Sequence, residues 1–196
     1  MGKELKFLGI SGSIRNGSYN RAVLEFLGSL MPQGIDYEIF DDISDIPFYD
    51  QSLEEKLPYR AKELREAVEG ADGLIIATPE HNASISAALK NALEWLSRPV
   101  GQGAIEGKPV AILGAAPGLY GTIRSQIHLR QILHSVGAVA VQKPEVYINQ
   151  IGSKLSEGTL NDEVAVDLLS QMLRALQRLV SQHVLLNQEL KKESAA

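Results

Sequence analysis

Hydrophobic positions along the chain fall into two alternating patterns. Residues 3–10 become increasingly apolar toward Ile10, and 71–78 and 109–113 are near-continuous apolar runs. Such runs suit strands buried on both faces of a parallel sheet. Residues 35–40 alternate, which predicts a strand nearer the sheet edge, and 138–141 reads as a last short strand. Between these runs the apolar period becomes helical. Ala22, Val23, Phe26, Leu27 and Leu30 share one face of a helix over 20–30, and Leu89, Leu93 and Leu96 share one face over 86–97. A helix over 58–68 starts at Pro58 and ends at Gly70, another covers 122–136, and Asn161-Asp162 caps a final helix running to about residue 190, with a frayed tail beyond it. Residues 41–57, 99–107 and 144–158 read as irregular.

Strand and helix therefore alternate five times along 1–196. That order predicts one α/β domain, a doubly wound five-stranded parallel sheet with helices on both faces. Ligands of such sheets bind at the carboxyl edge of the strands. Three unusual loops fall on that edge, 11–20, 79–86 and 114–122.

The first of these carries the clearest chemistry. Ser11-Gly12-Ser13-Ile14-Arg15-Asn16-Gly17-Ser18-Tyr19-Asn20 turns a strand into a helix through small polar residues. The first N–H groups of a helix lack internal partners and favour an anion. Ser11, Ser13, Ser18 and Asn20 add neutral donors, Arg15 adds a charged planar fork, and Gly12 and Gly17 are read as residues at positive φ. The stretch reads as a cradle for a terminal phosphate. It is not a P-loop, because Ser18 stands where the lysine belongs, nor a nucleophile elbow, because Ser13 stands where the last glycine belongs.

Composition narrows the function classes. The formal net charge is −5 and there is no basic run, so nothing points to nucleic acid. No cysteine is present, which removes disulfides, thiolate metal sites and a cysteine nucleophile. No apolar run reaches membrane-span length, and a cytoplasmic location is the default reading. His128 and His134 lack metal-ligand spacing, and no carboxylate pair or Ser-His-Asp set stands out. No catalytic side chain and no metal ligand is therefore assigned.

Gly12-Ser13-Ile14-Arg15-Asn16-Gly17-Ser18-Tyr19-Asn20 resembles the phosphate loop of the NADPH-dependent FMN reductase family, and 78–98 resembles that family's P-E-Y-N-x-S block. His128-Leu129-Arg130-Gln131 and Lys143-Pro144-Glu145 are similar to segments of its quinone- and chromate-reducing branch. The resemblance implies a flavodoxin-like fold, FMN as cofactor, NAD(P)H as co-substrate and a small-molecule electron acceptor. It implies that Ser13, Arg15, Ser18, Tyr19 and Asn20 hold the FMN phosphate end. Pro79, Glu80, His81 and Asn82 would lie along the isoalloxazine ring, with Ala115, Ala116 and Gly118 on its other side. It also implies a homodimer or homotetramer, with Arg124 and Glu145 at subunit contacts; the Leu89, Leu93 and Leu96 face with Trp95 reads from its pattern as core or subunit interface rather than as a cofactor box.

Three departures stand out. His81 replaces a tyrosine, Ser86 replaces a proline and implies a less rigid loop, and Ala115-Ala116 stand where serines are common. Hydride chemistry on flavin needs little from side chains, which agrees with the absence of a catalytic set. A ping-pong NAD(P)H-dependent reductase is the expected activity. The alternative is a flavodoxin-type carrier, against which Arg15 speaks, because carriers of that type hold the phosphate with uncharged hydroxyls.

Overall fold

A computed structural model describes residues 4–193. The parallel strands β1 (Leu5–Ser11), β2 (Ile35–Ile39), β3 (Gly73–Ala77), β4 (Pro109–Ala115) and β5 (Val139–Ala140) lie in the order β2-β1-β3-β4-β5. The helices are α1 (Tyr19–Leu27), α2 (Tyr59–Gly70), α3 (Ala87–Leu96), α4 (Ile123–Ser135) and α5 (Glu163–Glu193). This is the expected doubly wound sheet, with its switch point between β1 and β3, where the chain order reverses.

The apolar runs bury both faces of the central strands. Leu8, Ile10, Leu74, Ile76, Val110 and Ile112 pack under α2, α3 and α4 through Leu64, Val68, Leu89, Leu93, Leu129 and Leu133. The alternate residues Phe7, Ile75, Ala77, Ala111 and Leu113 pack under α1 and α5 through Val23, Leu24, Leu27, Leu169, Met172 and Leu176. At about 25 cal/mol per Å² of apolar surface, each fully buried leucine or isoleucine contributes roughly 1.5–3 kcal/mol to this sandwich.

The last strand differs from its expected form. Only Val139 and Ala140 pair with Pro109 and Val110 at the start of β4. A further strand, β6 (Val146–Ile148), takes over beside Leu113, Gly114 and Ala115. Pro144 lies in the break, and a proline has no N–H for a ladder. The stretch 144–158 is thus not irregular throughout, for it also enters a small hairpin of β7 (Leu155–Ser156) and β8 (Thr159–Leu160). The final helix begins where the sequence places it, with Asp162 Oδ1 accepting from Ala165 N at 3.0 Å. Lys3 of the first expected strand and the outermost tail lie outside the described residues.

Residues 86–97 take the core alternative, not the interface one. Leu89, Leu93, Leu96 and Trp95 are each at most 2% exposed, buried in the chain's own core. Trp95 Nε1 donates to Pro47 O at 2.8 Å, and Asn91 binds the same loop through Ile46 O, Pro47 O and Tyr49 N. This face anchors the 41–57 connection and is not available to a partner.

Candidate flavin site

The loop after β1 folds as a cradle at the start of α1. Ser18 caps the helix, its buried hydroxyl accepting from Arg21 N at 3.3 Å. The first-turn amides of Tyr19 and Asn20 have no carbonyl four residues back within the helix, so they face outward as donors. Ser11 Oγ donates to Ser13 O at 3.1 Å and shapes the turn. Gly17 sits at φ +67, as expected. Gly12 does not adopt positive φ; its role is close approach, since a Cβ there would lie 2.9 Å from Leu89 Cδ2 and 3.0 Å from Pro79 Cδ. Arg15 is exposed, its guanidinium donating to Gly17 O at 2.9 Å and lying 5.3 Å from the centre of the Tyr19 ring.

The Asn20 amide is engaged within the fold. The residue is 3% exposed, and the amide meets the end of β4: Nδ2 donates to Ala115 O at 3.1 Å and Oδ1 accepts from Ala115 N at 2.9 Å. β3 ends at Ala77, and its continuation turns away at Pro79, which has no N–H. The Asn20 amide takes the place of the missing strand neighbour.

The loop after β3 is held by three sets of bonds. Ser125 Oγ donates to Pro79 O at 2.7 Å and lies 2.7 Å from Thr78 Oγ1, both residues fully buried. The Glu80 carboxylate accepts from Arg124 N at 3.0 Å, Arg124 Nε at 2.7 Å and Ser125 N at 3.3 Å. It thereby caps α4, which has no side-chain cap of its own, and favours the positive end of that helix dipole. Arg124, implied as a subunit contact, makes this bond within the chain. Ser86 Oγ donates to Gly12 O at 2.5 Å and accepts from Leu89 N at 3.1 Å, so it caps α3 and ties two loops together. Contrary to expectation, the residue in place of the usual proline stiffens the loop.

His81 and Ser84 exchange both backbone hydrogen bonds at 2.9 Å around Asn82 and Ala83, at φ +49 and +63. Two central residues at positive φ make the tight hairpin turn for which glycine is the usual choice. His128 Nδ1 lies 3.1 Å from Ser84 Oγ and braces the turn from α4. The third loop follows β4, where Ala116 N donates to Ile148 O at 2.9 Å and Ile151 N donates to Ala116 O at 3.2 Å. The segment that reads as irregular thus supports it.

These loops enclose a cleft of about 180 Å³ lined by Ser13, Arg15, Ser18, Tyr19, Asn20, Pro79, Glu80, His81, Ala115, Ala116 and Pro117. Asn82 and Gly118 do not line it: Asn82 lies in the turn beyond, and Gly118 is exposed, its carbonyl accepting from Gln150 N at 3.2 Å. A second cleft of about 510 Å³ shares Ser13, Arg15, Ser18 and Tyr19 with the first and runs along the outer side of the cradle to Arg21, Glu25, Asp41, Asp42 and Leu155. Burial of Asp42 works against ionisation, but the Ser44 hydroxyl and amide, the Ile43 amide and Arg60 outweigh it and hold its carboxyl below the ordinary value. The carboxylates thus crowd the far end of that cleft, while Arg15 and the cradle hydroxyls line the end it shares with the inner one. The inner cleft offers hydroxyls, Arg15 and helix amides at one end and Pro79, Ala115, Ala116 and Pro117 at the other. Its donor set fits a molecule with an anionic end and a flat apolar end, as FMN has.

A doubly wound parallel sheet with such a cradle after its first strand defines a flavodoxin-like α/β protein. The chain belongs to the NADPH-dependent FMN reductase family, whose model matches residues 5–153. It is an oxidoreductase, with FMN as cofactor and reduced nicotinamide as electron donor, and the carrier alternative is not favoured. It is 44% identical over 179 residues to an NAD(P)H-dependent FMN reductase of Pseudomonas aeruginosa, covering 90% of this chain and 96% of that protein. A quinone reductase of Escherichia coli K12 is 37% identical, over 89% of this chain and 95% of its own length. Among solved structures, FerB, a flavoenzyme NAD(P)H:(acceptor) oxidoreductase from Paracoccus denitrificans, superposes with a TM-score of 0.82 at 30% identity, over 91% of this chain and 98% of that one.

Proposed function

We propose that the inner cleft holds FMN and that a reduced nicotinamide and a quinone use it in turn. The observation that carries this reading is the meeting of Ser13, Arg15 and Ser18 with Pro79, His81, Ala115 and Ala116 around one cleft. In it Arg15, the two serine hydroxyls and the first-turn amides of α1 take the phosphate. Pro79, Ala115 and Ala116 give the ring flat apolar walls. Bound there, FMN supplies the electron sink. Glu80, Ser125 and Asn20 act as struts that hold these walls before the cofactor arrives. Quinones are the proposed acceptors because curated relatives carry that name, among them a 2-hydroxy-1,4-benzoquinone reductase of a Burkholderia species at 39% identity over 151 residues.

The inner cleft of about 180 Å³ is by itself smaller than a usual ligand site of about 300–1,000 Å³, and it meets the 510 Å³ cleft at Ser13, Arg15, Ser18 and Tyr19. A second copy of the chain would complete its roof. Leu119, Tyr120, Ile123 and Ile127 are exposed beside it and offer the apolar surface for such a homodimer, or for a homotetramer built from it. The assembly is assigned to the cytoplasm, where reduced nicotinamide is at hand.

Denaturing the purified protein and identifying the released flavin tests the cofactor, with FMN expected and FAD alone refuting the cradle. Adding NADPH or NADH without air should bleach the flavin. Initial rates against both substrates should give parallel double-reciprocal lines, whereas intersecting lines would place both substrates in the site together. Light scattering at micromolar concentration should show at least a dimer.

A further inference from the structure

We propose that His81 donates the second proton in quinone reduction, an inference that rests on the reading of the inner cleft as the flavin site. A quinone becomes a hydroquinone by taking up two electrons and two protons. FMN held in the cleft and reduced by NAD(P)H would supply both electrons and one proton as a hydride, which would form an O–H bond at one carbonyl oxygen. The ring becomes aromatic, and the other oxygen is left as a phenolate. That oxygen needs a proton from a group at the cleft.

Arg15, Tyr19, Glu80 and His81 are the ionisable side chains lining the cleft. Guanidinium does not release its proton in proteins. The Tyr19 hydroxyl lies against the Gly152 backbone, 3.3 Å from where a Cβ would stand. The Glu80 carboxylate is 9% exposed and accepts bonds from Arg124 and the Ser125 amide. His81 remains. Its ring is exposed, and no hydrogen bond or ion pair holds it among the described residues. Its backbone is fixed by the two bonds to Ser84, which His128 braces. The imidazole thus hangs from a rigid turn at the cleft mouth.

Imidazole is also the side chain whose ordinary titration falls between pH 5 and 8, where a general acid works best. The charges facing it are accounted for. Glu80 is paired with Arg124, His128 reaches Ser84, and Arg15 lines the same cleft. In the step proposed, the phenolate oxygen forms an O–H bond as a ring N–H bond of charged His81 breaks. Neutral imidazole then recovers its proton from water.

The test compares benzoquinone with ferricyanide, a one-electron acceptor that takes up no proton, in wild type, His81→Gln and His81→Tyr. Reporting the ratio of the two rates removes any effect on flavin content. In His81→Gln the benzoquinone-to-ferricyanide ratio at pH 7 should fall roughly tenfold or more, since a positioned general acid contributes about 10²–10⁴-fold. His81→Tyr should recover part of it and move the falling limb of the pH profile upward, because a phenol titrates near 10. In wild type the benzoquinone rate should fall as pH rises through the midpoint of the His81 C2–H resonance, measured independently by NMR. An unchanged ratio in His81→Gln, or a limb that does not coincide with that midpoint, overturns the proposal. Failure of NADPH to bleach the wild-type flavin would instead overturn the reading of the cleft on which it rests.

Discussion

Asn20→Ala should destabilise the protein even without cofactor. The wild-type amide serves Ala115 N–H and Ala115 C=O together, at 2.9 and 3.1 Å, in a position 3% exposed to solvent. Truncation leaves both backbone groups buried and unpaired at the place where β3 has already left the sheet. An orphaned buried group costs about 1–3 kcal/mol, so the pair amounts to about 2–6 kcal/mol. For a domain of this length, that corresponds to a fall of roughly 4–24 °C in melting temperature. Asn20→Asp should restore little, because a carboxylate accepts from Ala115 N–H but cannot donate to Ala115 C=O. The assay is urea and thermal unfolding of the apoprotein, followed by FMN titration of the same samples. A residue whose main role is to bind phosphate would lower FMN affinity and leave the apoprotein unchanged. A loss below about 1 kcal/mol in the apoprotein would therefore refute the strut assigned to Asn20.

Arg15→Ala should behave in the opposite way. It should weaken FMN binding about tenfold, or about 1.4 kcal/mol, at the lower end for a charge-assisted bond because Arg15 is exposed. Apoprotein stability should stay unchanged, and Arg15→Lys should recover part of the affinity, read by flavin fluorescence quenching. Ala83→Gly should raise the unfolding free energy by about 0.5–1 kcal/mol, because it relieves a left-handed residue at φ +63 against a smaller loss from chain entropy; unchanged urea midpoints would count against strain there. Asp162 is held below its ordinary carboxyl value of 3.8, chiefly by the Lys154 ammonium and then by the Ala165 amide. That contribution is present above the unfolded value and lost as pH falls through the lower native one. Asp162→Asn should therefore flatten the acid side of the stability profile, seen in unfolding curves between about pH 5 and 2.

The sheet was legible because its strands are apolar runs separated by helical periods, and a parallel topology sends the loops after β1, β3 and β4 to one edge. Short strands carried too little signal. Val146–Ile148 spans three residues, and its pairing depends on Leu113, Gly114 and Ala115, more than thirty positions earlier. The turn at Asn82-Ala83 lacks the glycine that marks such turns, so its spelling concealed it. Trp95 and Leu93 looked equally suited to a core or an interface, and only the folded 41–57 connection decides between them.

The side-chain partners that the sequence does not show share one physical cause. Asn20, Glu80 and Ser86 are polar residues in ligand-suited loops. In the fold each finds a partner on another loop: Ala115, the start of α4, and Gly12. Their separations of 95, 44 and 74 residues leave no local trace. The outcome bears on affinity as well as on shape. Loops fixed to one another before binding lose less freedom when a ligand arrives. Side chains that hold the walls also free the backbone amides of α1 and the exposed groups of Arg15 and His81 to face the ligand. Double substitutions make this division testable. Asn20→Ala combined with Ser86→Ala should lower FMN affinity more than their separate effects sum to if the three loops act as one preorganised frame. Strict additivity would mean that each strut holds its own loop alone.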